Sequence, residues 1–194
     1  DVQAQEYLLA VAEHYRAGFL RGYLQREADL LNLQAVLRAA QMGWEASTLR
    51  RALLPGGALP CAKLIEALET APRSLLALTA GTEYQGVVEE GVRALEQAGQ
   101  LGRFALLREN FLHSYVRAAR HVAFGYVPVL AYALAKEREG RLLRLVFTAK
   151  LQALPLEKIA ERLDALCPGS RSSAIKIPSW AFGPSGSIPS RFGM

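Results

Sequence analysis

The sequence has little of what several common protein classes require. It has two cysteines, Cys61 and Cys167, far apart and without metal-ligand spacing. That excludes a disulfide framework and suits reduced thiols in a cytosolic protein, buried or incidental. No apolar run approaches the roughly 20 residues that span a bilayer, and no leader pattern opens the chain. Gly56 and Gly57 lack the Lys-Ser/Thr that follows a phosphate loop. No Gly-x-Ser-x-Gly or Cys–His pattern marks a nucleophile. The net charge of +5 is no nucleic-acid footprint either. Residues 168–194 hold Arg171, Lys176 and Arg191 and no acid, so the rest carries 20 bases against 18 acids. There is no Lys/Arg run, and aromatics do not alternate with bases on one face. β-branched residues are sparse and no stretch alternates for long, which argues against sheet.

Ala, Leu, Arg and Glu dominate what remains, and they favour helix. The expected fold is all-α. Residues 3–17 form an amphipathic helix with Tyr7, Leu8, Val11 and Tyr15 on one side. Residues 19–42 form a long helix that Gly43 ends. Ser47 or Thr48 caps a short helix to Leu54. Leu53 to Pro60, with its Pro-Gly-Gly, is a turn. Helices then run from Pro60 to Glu69, Pro72 to Thr79, Glu83 to Ala98 and Arg103 to His121. Trp44, Tyr84, Phe104, Phe111 and Phe124 are expected in the core.

The stretch from Phe124 to Leu163 reads as a long helix, a stop and a second helix. Pro128 suits a first turn. Leu142, Leu143, Val146 and Phe147 form one apolar face. Gly140 costs about 1 kcal/mol relative to alanine, so close packing or a bend is expected there. Pro155 opens the last helix, with Ile159, Leu163 and Leu166 as its stripe. Beyond it, residues 168–194 are rich in Pro, Ser and Gly and are predicted to be irregular, disordered or non-native.

Residues 20–39 can be laid on residues 130–149. Leu20 falls on Leu130, Leu24 on Leu134, Glu27 on Glu137, Asp29 on Glu139, Leu33 on Leu143 and Val36 on Val146. The matching charges make this more than shared leucine, and two similar helices imply two similar helical units.

Phe124-Gly125, Pro128, Ala131-Tyr132, Ala135-Lys136-Glu137, Glu139, Lys150 and Leu154-Pro155 stand in one order. That pattern resembles the C-terminal signature of the C (or d) subunits of V-type and A-type rotary ATPases. Glu27, Asp29 and Asn32 resemble the family's middle repeat, and Leu53 to Gly57 fits it too. Gly140, Leu142 and Ala153 depart from the family's usual aliphatic, asparagine and glycine residues. The resemblance covers residues 1 to about 166 and implies the second and third of three repeats in a funnel-shaped, pseudo-threefold helical protein. The second repeat would fill 1–122 and part of the third 123–167, in a chain that starts like a piece of a longer one. It also implies a non-catalytic central-stalk subunit without cofactor or metal. Such a subunit is cytoplasmic and peripheral on the membrane. It links the shaft subunits D and F to the membrane rotor ring and passes torque for proton or sodium transport.

The expected partner contacts are the charged residues Glu27, Asp29, Glu137 and Glu139, then Arg138 and Arg141. The plainer reading makes these acids ion pairs with Arg26, Lys136, Arg138 or Arg141, and Asn32 a hydrogen bond between helices. Two other readings stand beside the resemblance. One is a freestanding helical adaptor. The other is a helical-bundle metalloenzyme using Glu109, His113 and His121.

Overall fold

The structure, a computed structural model, describes residues 2–70, 73–99, 101–155 and 159. Within them it is all-α, with eight α-helices, one 3-10 turn and no strand. Helix α1 spans Val2–His14 and α2 spans Gly18–Met42. Helices α3 (Ala46–Ala52), α4 (Cys61–Thr70), α5 (Ser74–Thr79) and α6 (Gln85–Ala98) follow. Then come α7 (Gly102–Ala118), a 3-10 turn (Ala119–His121) and α8 (Tyr126–Leu151). Of the predicted last helix only Pro155 and Ile159 are described residues; Pro155 is not helical, and Ile159 is helical and buried. Leu163, Leu166, Cys167 and the predicted 168–194 tail lie outside them.

Helix α2 is the axis of the core. Leu24, Ala28, Leu30, Leu33, Val36, Leu37 and Ala39 are all buried. A fully buried leucine contributes about 1.5–3 kcal/mol, so α2 is held by its neighbours rather than by its own propensity. Helices α1, α3, α4 and α7 pack around it, and α6 pairs with α7. Gly43 ends α2 as expected, at φ 66°, and its N–H and that of Trp44 both donate to Ala39 O. Only glycine takes that left-handed angle without strain.

Several expectations are corrected. Helix α1 turns Gln5 and Ala12 inward, leaving Tyr7 at 69% and Tyr15 at 73% exposure. Gln5 is the inward polar residue because its Nε2 donates to Leu24 O at 3.1 Å. Tyr84 and Phe104 are buried, and Trp44 and Phe111 pack half-buried on the core, but Phe124 is 88% exposed. It sits on the connector leading to Gly125, whose φ of 90° turns the chain into α8. Helix α3 starts at Ala46 without a side-chain cap; Ser47 Oγ donates to Glu45 instead. Cys61 is exposed at the start of α4.

Gly140 does not pack closely. The helix is continuous through it, and nothing lies within 4 Å of where a Cβ would stand. We expect Gly140→Ala to raise stability by about 0.5–1 kcal/mol through the lost freedom of the unfolded chain. In a thermal melt that is a rise of about 2–3 °C in Tm; a fall would show that the glycine is needed.

Candidate interaction site between the long helices

Helices α2, α7 and α8 enclose a polar groove. Its cavity of about 190 Å³ is lined by Tyr23 and Glu27 from α2, by Arg108, Glu109 and His113 from α7, and by Arg138 and Arg141 from α8. The lining alternates in sign. Arg108 reaches Glu109 at 3.6 Å and donates to Gln34 Oε1 at 2.6 Å. Arg141 reaches Glu109 at 3.7 Å and donates to Glu137 Oε1 at 2.7 Å. Arg138 is buried and donates to Asn110 Oδ1 at 3.2 Å. A second cavity of about 200 Å³, with Leu106, Leu142 and Leu145 on its wall, shares Arg108, Glu109, Arg138 and Arg141 with the first. So α8 meets α7 through charge and hydrogen bonds as well as through apolar side chains such as Leu112, Leu134 and Ala135.

Burial tunes the groups in this groove. Burial first, and the nearby Glu137 and Glu109 next among the raising influences, lift the Glu27 carboxyl above the ordinary range; Arg108 and Arg141 pull it back. Burial and Glu27 also lift the Tyr23 hydroxyl. Burial, then Arg138 and Arg117, lower His113. The sign for Glu27 follows from linkage. A carboxyl raised on folding binds more protons in the folded state, so stability falls as pH climbs from the ordinary carboxylate range through the folded value. We expect Glu27→Gln to raise Tm at pH 8 and to give no gain at pH 4. Melts at the two pH values read this; an equal effect at both would contradict it. His113 has the opposite slope, its cost being greatest at acid pH.

The six expected contact residues do not form one cluster. Glu27, Arg138 and Arg141 line the groove, and Glu137 joins through Arg141. Glu139 lies apart, exposed, in an ion pair with Lys136 at 2.7 Å. Asp29 is fully buried and is not a surface contact. Its Oδ1 accepts from Leu59 N at 3.0 Å, and its Oδ2 from Ala58 N at 3.0 Å and Tyr84 Oη at 2.8 Å. The carboxylate pins the Pro-Gly-Gly loop to α2 and α6. Gly57 is required there, because an added Cβ would stand 2.2 Å from Oδ1. Burial, then the bond to Asp29, holds the Tyr84 hydroxyl above its ordinary range. Asn32 also binds the loop rather than a helix. Its Nδ2 donates to Leu54 O at 2.9 Å, and its Oδ1 accepts from Leu54 N at 2.7 Å.

Sequence reasoning missed the polar roles of Tyr84 and Arg108, which face Asp29 and Gln34 from far along the chain, and of Tyr23, one turn before Glu27 on α2. Of the proposed metal ligands, Glu109 is engaged by Arg108 and Arg141, while His113 is half-buried beside Arg138. No three His, Cys, Asp or Glu side chains gather as a ligand set among the described residues. No helix among them is long and apolar enough to cross a membrane.

An all-helical body with long charged helices and interhelical ion pairs defines a structural class more than a chemistry. The chain belongs to the ATP synthase (C/AC39) subunit family, whose pattern matches residues 4–162. It is 26% identical over 135 residues to the C subunit of the V-type sodium ATPase of Enterococcus hirae, covering 70% of this chain and 40% of that protein. It is 27% identical over 157 residues to the C subunit of the A-type ATP synthase of Thermococcus gammatolerans, covering 80% of this chain and 42% of that one. The chain thus spans about two fifths of the length of these curated relatives. No solved structure matches it.

Proposed function

We propose that this chain is the second and third helical units of a non-catalytic central-stalk subunit of a V/A-type rotary ATPase. In this reading residues 1–122 are one unit of a pseudo-threefold funnel and residues 123–167 part of the next. The subunit joins the shaft subunits D and F to the membrane rotor ring and passes torque during proton or sodium transport. It sits in the cytoplasm, peripheral to the membrane. The family match over residues 4–162 carries the reading.

The physical character of the body supports it. A close-packed helical core is stiff, and a stiff coupler loses little torsional energy. Helix α8 presents Glu137, Glu139 and Arg141 exposed on a continuous 26-residue helix. Exposed charges on a rigid element set register and partner choice more than affinity.

The test is charge reversal of Glu137 and Glu139 to lysine within the assembled ATPase. Both are exposed, so folding should be intact by circular dichroism. ATP hydrolysis is expected to persist while ion pumping falls roughly tenfold, the effect of about 1.4 kcal/mol lost at the coupling contact. Coupling unchanged in a folded double variant removes these residues from the contact. A chain that ignores D, F and the ring in a pull-down is an adaptor instead.

A further inference from the structure

The groove between α2, α7 and α8 holds hydrogen-bond donors that its own residues leave unused. Tyr23 is 8% exposed and lines the cavity of about 190 Å³. Its hydroxyl makes no hydrogen bond among the described residues, which is costly for a buried group. The charges of Glu27, Arg141, Glu137 and Glu109 all act on that hydroxyl, so it stands at the polar side of the groove. Arg108 and Arg141 each have a spare end as well. Their Nη1 atoms donate to Gln34 Oε1 at 2.6 Å and Glu137 Oε1 at 2.7 Å. Their Nη2 atoms stand 3.6 and 3.7 Å from Glu109, too far for a hydrogen bond.

Charge decides what such donors would take. The lining carries three guanidiniums, of Arg108, Arg138 and Arg141, against two carboxylates, of Glu27 and Glu109. Glu137 stands outside the lining, paired with Arg141. The surplus repels a cation and attracts an anion. Water fills a polar space but leaves the surplus unanswered. Guanidiniums reaching one space from two helices suit an acceptor with oxygens on several sides. Arg138 supplies charge there; it is 7% exposed and donates to Asn110 Oδ1 at 3.2 Å.

We propose that this groove binds a small tetrahedral oxyanion of the sulfate or phosphate type, free or at the end of a phosphate ester, held by Tyr23, Arg108 and Arg141. Tyr23 Oη donates one hydrogen bond and the two Nη2 groups donate the others. Glu27 opposes the anion. It is half-buried and makes no hydrogen bond or ion pair among the described residues. Around it stand Tyr23 on α2, Arg108, Glu109 and His113 on α7, and Glu137, Arg138 and Arg141 on α8. Burial already favours its protonated form. The oxyanion favours that form further, so anion and proton each tighten the binding of the other. His113 is held low by burial and by Arg138, and adds no charge near neutral pH. The site does not depend on the stalk reading.

Thermal melts of the full chain in sulfate, against chloride at equal ionic strength, test the site. Sulfate keeps its charge across the neutral range, so any pH dependence belongs to the protein. Sulfate also stabilises proteins generally by exclusion from their surface, and Arg141→Gln, at an exposed position, supplies that background. The unmodified chain should gain roughly 3–6 °C more than this variant at about ten times the dissociation constant. In calorimetry, binding should weaken about tenfold from pH 6 to pH 8, and Glu27→Gln should keep the tighter value at both. Tyr23→Phe should weaken binding about two- to tenfold. Separate titrations with inorganic phosphate and glycerol 3-phosphate tell a free anion from an ester, and saturable binding of either supports the site. Equal gains in the unmodified chain and in Arg141→Gln overturn it, as does chloride acting as well as sulfate. A pH dependence that survives in Glu27→Gln overturns the coupling to the proton.

Discussion

Asp29→Ala is expected to lower stability by about 3–5 kcal/mol. The substitution removes one acceptor group and leaves two backbone N–H groups and the Tyr84 hydroxyl without it. Leu59 and Tyr84 are buried, so water cannot replace the lost bonds there at low cost. Hydrogen bonds to a charged group contribute about 1.5–3 kcal/mol each, and an unmet buried donor costs about 1–3 kcal/mol. Asp29 itself regains some desolvation energy when removed, which keeps the total below the sum of three bonds. For a chain of this size the melt should shift down by roughly 10–15 °C. Two companions separate the clamp from simple loss of volume. Tyr84→Phe removes one donor and keeps the loop bonds, so a loss near 1 kcal/mol is expected. Gly57→Ala leaves every polar group in place but drives a methyl into Oδ1, so it should cost more than an ordinary turn substitution. Urea unfolding that finds Asp29→Ala no worse than Tyr84→Phe would show that the loop is held by its apolar residues instead.

Phe104→Ala should cost about 3–5 kcal/mol, by cavity formation rather than lost polar contact. Phe104 is fully buried at the α6–α7 seam, and its ring lies against Gly91. A Cβ at Gly91 would stand 2.3 Å from Phe104 Cδ2, so the glycine makes room for the ring. Gly91→Ala alone should therefore destabilise by about 1–3 kcal/mol through overpacking. In the double variant the new methyl enters the vacated space. Its loss should be smaller than the sum of the two single losses, by about 0.5–3 kcal/mol of coupling. Additive losses would mean that the seam relaxes around each change independently.

The helical class, the long α2 and α8, the glycine stop at Gly43 and the repeat between the long helices were legible in the sequence. They follow from local rules: apolar spacing, helix propensity and the conformations open to glycine. The family resemblance was also legible, because its signature is a linear order of residues. The destinations of the charged side chains were not. Glu27, Asp29, Glu137 and Glu139 look alike along the chain. Asp29 became a buried anchor because the Ala58–Leu59 loop and Tyr84 converge on it from about 30 and 55 residues away. Glu137 and Glu139 stayed exposed because the described residues cover α8 on one side.

The aromatic residues divide in the same way. Phe104 and Phe124 are identical to any hydrophobicity scale, yet one is fully buried and the other 88% exposed. Tyr7 and Tyr15 stand outward because α1 meets α2 through Gln5 and Ala12, a choice made by one long-range hydrogen bond and one small side chain. By itself the sequence determined which segments are helical and to which family they belong, since both are written in near-neighbour spacing. Only the tertiary structure decided which charges are buried and which helix faces are covered among the described residues. Those outcomes depend on surfaces brought together from distant parts of the chain.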